Sequence, residues 1–161
     1  MTESTFDSLV GDLDYPMFIV TACADGERAG CLIGFATQAS IDPSRFLVCL
    51  SHENRTYRVA QGAELLGVHF VPEEQAEVAE LFGGETGDEV DKFAHCSWHQ
   101  GQYGLPILDD CESWFVGRVV ARTPFGDHLG HLLEPVTAEH GADGELLTFH
   151  RARSISPGHE P

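Results

Sequence analysis

Basic side chains are scarce: 9 Lys and Arg stand against 26 Asp and Glu in 161 residues, a formal charge of −17. So acidic a surface repels nucleic-acid phosphates and anionic lipid, and no basic stripe offsets it, so neither nucleic acid nor a membrane is expected as partner. Long apolar runs are missing too. Stretches such as Met17 to Val20 and Phe46 to Leu50 fall far short of a bilayer span. The first residues, Met1-Thr-Glu-Ser-Thr-Phe-Asp, lack the basic and apolar regions of a signal peptide, which sets a cytoplasmic expectation. The five cysteines are odd in number and show no C-x-x-C spacing, against a disulfide framework and a structural zinc site. Cys23, Cys31 and Cys49 therefore read as small core hydrophobes. No G-x-G-x-x-G follows the first strand, against a Rossmann dinucleotide site.

What is present is a globular composition, 42% hydrophobic and 9% aromatic. The length suits one domain, 1–150, followed by a mobile tail, 151–161. Phe6, Leu9, Val10 and Leu13 recur at helical spacing and predict a short amphipathic helix before Tyr15-Pro16. Met17 to Ala24 is apolar and β-branched and runs into Asp25-Gly26, a hairpin signal, with 29–40 returning as the partner strand. Phe46 to Ser51 predicts another strand after the Asp42-Pro43 break. Asn54 to Gln61 predicts a helix capped by Asn54, Leu65 to Val71 a strand, and Glu73 to Phe82 a helix. Residues 83–110 are rich in glycine and read as a functional loop region, whose Phe93, Trp98 and Tyr103 are expected to pack on a second subunit. Strands at Glu112 to Arg122, His128 to Val136 and Leu146 to His150 complete the pattern. The tight turns between early strands favour an antiparallel barrel over a parallel βαβ sheet.

Two histidine pairs invite a metal reading. His95 and His99 have i, i+4 spacing, but Ser97-Trp98 and the nearby glycines oppose a helix, and no third ligand is apparent. His128 and His131 lie three apart on a strand and face opposite sides. No metal site is expected.

Four ordered segments resemble the flavin reductase-like family of FMN-binding split barrels. They are Gly30-Cys-Leu-Ile-Gly-Phe-Ala-Thr-Gln-Ala-Ser-Ile-Asp-Pro43 with Arg45 to Ser51; Ser51-His-Glu-Asn-Arg-Thr56; Asp91-Lys92-Phe93 with Trp98 and Gly104 to Leu108; and Gly126-Asp127-His128. The resemblance covers about residues 13–137. Departures are Gly34, Phe35, Gln38 and Ser44, where the family commonly has Asn or Ser, Ser, Ser and Pro.

The resemblance implies a mainly β fold, a six-stranded antiparallel split barrel with a few short helices. It implies a homodimer that binds FMN, with FAD as the other candidate flavin, near its interface. It implies NADH or NADPH as co-substrate, and extends to the reductase component of a flavin-dependent monooxygenase. The alternative is a flavin-binding protein or electron carrier on the same barrel. Thr37, Gln38, Ala39 and Ser40 would line the flavin ring edge, or simply form a strand ending in a turn. Ser51, Asn54, Arg55 and Thr56 would receive the phosphate, whose charge demands cationic and N–H partners. The competing reading is an ordinary capped helix with Arg55 and Arg58 solvated. Lys92 and Phe93 are implied beside the cofactor. His128 is the candidate beside the nicotinamide, or else a strand histidine bonded to a neighbour. Asp127 either fixes its tautomer or caps the turn.

Overall fold

The computed structural model describes residues 3–84 and 90–153. In chain order the elements are α1 (Glu3–Gly11), β1 (Phe18–Ala24), β2 (Glu27–Ile33), β3 (Ala36–Ser40), β4 (Arg45–Ser51), α2 (Arg55–Ala60) and β5 (Leu65–Phe70). Then come α3 (Ala76–Gly84), β6 (Trp98–Gln100), β7 (Pro106–Leu108), β8 (Ser113–Pro124), β9 (His128–Glu139) and α4 (Phe149–Ala152). Seven strands form one antiparallel sheet in the order β2-β1-β5-β8-β9-β4-β3, and β6 pairs with β7 apart from it.

The β1–β2 hairpin turns at Asp25 and Gly26, both at positive φ (52° and 80°), the geometry that asks for Asp-Gly. β1 is apolar except for Thr21, whose buried hydroxyl donates to Pro106 O at 2.8 Å, because both its faces are covered. Val20 points into a core with Val48, Leu50, Leu66, Val68 and Leu133. Ile19 points the other way, into a second core with Val71, Phe82, Leu108 and Leu147. The sheet curls strongly. β1 and β4 are separated by three strands in the ladder order, yet the Phe18 and Phe46 rings meet edge-on at 5.6 Å.

Several expectations need correction. The partner strand over 29–40 divides at Gly34-Phe35: β2 stays on β1, while β3 crosses to pair with β4 from Ala36↔Val48 onward. This gives seven strands where six were expected. Gly34 allows the crossing, because a Cβ there would lie 2.5 Å from the Tyr15 ring. Leu146 to His150 is no strand. Only isolated bridges form at Leu146 and Thr148, and the chain then enters α4, whose Ala152 is buried. The expected mobile tail lies outside the described residues from 154 onward; residues 151 and 152 close α4. Residues 83–110 carry the β6–β7 hairpin and a short 3₁₀ turn at Lys92–His95, so His95 and His99 do not share a helix face. Phe93 and Trp98 pack within this chain, at 5.5 Å from one another, and only Tyr103 of the three aromatics is exposed. All five cysteines are free; Cys31 and Cys111 are buried, while Cys23 and Cys49 are only half-buried.

One buried polar residue joins the layers. His69 on β5 is fully buried, its Nδ1–H donating to Ile19 O (2.9 Å) and its Nε2 accepting from Leu108 N–H (3.1 Å). Both ring nitrogens are thus used by the neutral imidazole, and burial pulls its pKa down from 6.5 to about 4. The folded state then binds fewer protons than the unfolded chain between those values. Stability should therefore hold above pH 6.5 and fall as pH drops toward 4, with His131, also depressed by burial, adding to the slope. Urea titrations across this range should show the fall, and His69→Gln should reduce it. A parent midpoint unchanged between these pH values contradicts the assignment.

Candidate functional site

A cleft of about 430 Å³ opens where β2 passes to β3, bounded by the start of α2, the β8–β9 turn and α4. Aromatic rings face one another across it, between the apolar side chains of Met17 and β2. Tyr15 stacks on Phe149 with centroids 4.9 Å apart and planes 10° from parallel. On the other side Phe35 leans on His128 at 4.9 Å and 44°. Gly34 lies between them in the chain and is packed against Tyr15. Ser51 and Asn54 supply polar edges.

His128 is held by its neighbour in sequence. Its Nδ1 lies 2.7 Å from Asp127 Oδ1. The carboxylate can only accept, so Nδ1 carries the proton and Nε2 of the neutral ring is the acceptor. The same bond holds the Asp127 carboxyl below the ordinary carboxylate value, so it stays ionised. Of the two roles considered for Asp127, fixing the tautomer is the one its side chain performs. The β8–β9 turn is tied to the neighbouring β4–α2 turn by His52 N–H donating to Asp127 O at 3.0 Å.

A second cavity, about 360 Å³, adjoins the cleft through Asn54, which lines both. It gathers Arg28, Arg55 and Lys92, three of the nine basic residues, with Glu27 and Asp91 as acidic counterparts. Arg55 donates to Arg28 O and pairs with Glu27 at 3.2 Å, holding the β1–β2 hairpin against α2. The Arg28 guanidinium lies 4.8 Å from the Trp98 ring centroid. Lys92 is buried, its Nζ donating to Gly30 O (3.1 Å) and Phe82 O (3.0 Å). Phe93 is buried beside it, and Thr56 is almost fully buried. Asn54 precedes α2 in extended conformation but makes no side-chain capping bond, contrary to the cap expected of it. Ser51 Oγ accepts from Glu53 N–H at 3.2 Å.

The expected site residues thus fall into three groups. His128, Ser51 and Asn54 line the cleft; Asn54, Arg55, Thr56, Lys92 and Phe93 line the cavity. Thr37, Gln38, Ala39 and Ser40 line neither: they occupy the sheet's edge strand, three of them exposed, with a register shift between Gln38 and Ser40. A shift of this kind leaves backbone amides unpaired at the edge. The cleft walls Tyr15 and Phe149 were not anticipated, because nothing local in the sequence relates positions so far apart. Among the described residues no three His, Cys, Asp or Glu side chains gather to hold a metal ion, and no helix is long and apolar enough to cross a membrane.

A cleft with facing aromatic rings thus opens onto a cavity that gathers three of the chain's cations, on a curled antiparallel sheet. The chain belongs to the flavin reductase like domain family, which matches residues 10–156. A "Probable flavin reductase" of Rhizobium meliloti (strain 1021) is 32% identical over 142 residues; the match covers 86% of this chain and 44% of that protein, so the chain spans less than half of it. An FMN reductase (NADH) of Methylorubrum extorquens (strain PA1) is 31% identical over 85% of this chain and 68% of its own length. The reductase component of an FADH(2)-dependent resorcinol hydroxylase from Rhizobium sp. (strain MTP-10005) is 23% identical, over 84% of this chain and 76% of that protein. In fold, the chain is similar to the crystal structure of a flavin reductase domain protein from Arthrobacter sp. FB24, with TM-score 0.84, 24% identity and 93% and 92% of the two chains covered.

Proposed function

We propose that this chain is an NAD(P)H-dependent flavin reductase that takes FMN, working as a homodimer in the cytoplasm and supplying reduced flavin to a monooxygenase. The observation that carries the reading is the aromatic cleft joined at Asn54 to the Arg28–Arg55–Lys92 cavity. The named activities of the FMN reductase (NADH) and hydroxylase-component relatives support the donor and the partner. The residues present suit a flavin: the stacked Tyr15 and Phe149 for the ring, and a guanidinium with backbone and hydroxyl groups for the phosphate. Bound flavin would supply the hydride acceptor, and the nicotinamide the hydride.

The chain's own task is to bind, orient and exclude water. Arg55, braced by Glu27, offers charge to the phosphate within an otherwise acidic protein. Thr37 to Ser40, which line neither the cleft nor the cavity, are left to the sheet's edge strand. His128, its tautomer fixed by Asp127, presents Nε2 as an acceptor to the N–H of a carboxamide. No side chain need take a proton in the transfer itself.

Exposed apolar surface supports the dimer. Phe6, Leu9 and Val10 of α1 are 50%, 60% and 40% exposed and Leu13 just beyond it 57%, so the helix forms but packs on little of its own chain. Phe35, against His128, and Phe125, against Gly130, are 56% and 60% exposed. Sedimentation at micromolar concentration should give a species of twice the 17.6-kDa chain mass. A monomer contradicts the assembly. The activity is tested by anaerobic mixing of flavin-loaded protein with NADH and NADPH, read by bleaching of the flavin.

A further inference from the structure

We propose that Phe35 is a positioning residue for the electron donor: its ring and the His128 imidazole form the wall against which the nicotinamide lies. This rests on the flavin reductase reading of the same site. Phe35 sits in the two-residue link between β2 and β3, where the chain leaves one partner strand for another. The link is fixed at both ends. Gly34 is held against Tyr15, and Cys49 N–H donates to Phe35 O at 2.9 Å. With its backbone pinned, the ring has few directions to take, and it points to His128 rather than into either core.

More than half of this ring is left in water, yet it lies on the lip of the cleft and touches the one imidazole whose acceptor nitrogen is free of its Asp127 bond. A nicotinamide suits both features. Its nearly flat dihydropyridine ring buries apolar surface by packing on an aromatic face, and its carboxamide N–H donates to an imidazole acceptor. The flavin phosphate contacts lie in the other cavity, beyond Asn54. With the flavin ring assigned to the stacked Tyr15 and Phe149 on the other side of the cleft, Phe35 faces the donor.

The test is steady-state and rapid-mixing kinetics of Phe35→Ser and Phe35→Tyr, with flavin affinity measured in parallel. Phe35→Ser should raise KM for the nicotinamide donor by about tenfold, equivalent to about 1.4 kcal/mol, with flavin Kd within about twofold. Phe35→Tyr, which keeps the aromatic face, should return KM to within about threefold of the parent. Flavin affinity falling as far as donor affinity overturns the inference, since Phe35 would then hold the flavin or the local fold. So does an unchanged KM in Phe35→Ser. A parent protein that binds flavin but oxidises no nicotinamide overturns the reductase reading and this inference with it, whereas an active parent with an indifferent Phe35→Ser overturns the inference alone.

Discussion

His128→Ala is expected to lower the rate of flavin reduction by roughly 10- to 100-fold, because a small misplacement of reacting atoms costs that much. The geometry makes the histidine an orienting group. Asp127 accepts the hydrogen bond from Nδ1–H at 2.7 Å, which leaves Nε2 as the ring's acceptor in the cleft lining. Removing the imidazole removes that acceptor and the surface on which Phe35 leans. Flavin affinity should stay within about twofold, since Arg55 and the cavity around it are untouched. Rapid mixing at saturating NADH and NADPH separates the two quantities. A variant that reduces flavin at the parent rate would make His128 a strand histidine bonded to its neighbour and nothing more. Asp127→Asn, which can present an N–H to Nδ1 and so reverse the tautomer, should cause part of the same loss.

Arg55→Ala should weaken FMN by about 1.5–3 kcal/mol, the range for hydrogen bonds to charged groups, and leave riboflavin almost unaffected. The comparison is needed because Arg55 also has a structural duty. It donates to Arg28 O and pairs with Glu27, so its loss loosens the β1–β2 hairpin as well. Riboflavin lacks the phosphate but needs the same hairpin. Equal losses for the two ligands would mean that Arg55 acts through folding and that the phosphate lies elsewhere. Fluorescence titration of the apo-protein with both ligands measures the difference.

Local pattern made much of this molecule legible. MFIVTACA with Asp25-Gly26 specified the first hairpin, because the apolar run and the positive-φ turn each depend on adjacent residues alone. The β4 strand, α2 and the long β8–β9 pair were legible for similar reasons. Long-range geometry was not. The division of 29–40 into two strands depends on a Tyr15 ring that forbids a Cβ at Gly34. The strand expected at Leu146 to His150 is instead bridge and helix, because its apolar residues fill the second core beside α3 and not a sheet. Within the candidate site, Ser51, Asn54, Arg55 and His128 are named by motif, and the structure brings them around two adjoining spaces, whereas Thr37 to Ser40, named by the same reasoning, line neither. Lys92 was legible as a motif residue but not as one whose ammonium rests on two backbone carbonyls. Tyr15 and Phe149 could be related only by the fold, which stacks the two ends of the chain on one another.

The most direct test of the account is anaerobic reduction of flavin on the purified protein. Apo-protein loaded with FMN should show absorbance near about 450 nm that bleaches on addition of NADH or NADPH, at a rate saturating in donor. Persistent absorbance in the presence of both donors, with FMN demonstrably bound, would contradict a reductase and leave a flavin-binding protein on the same sheet.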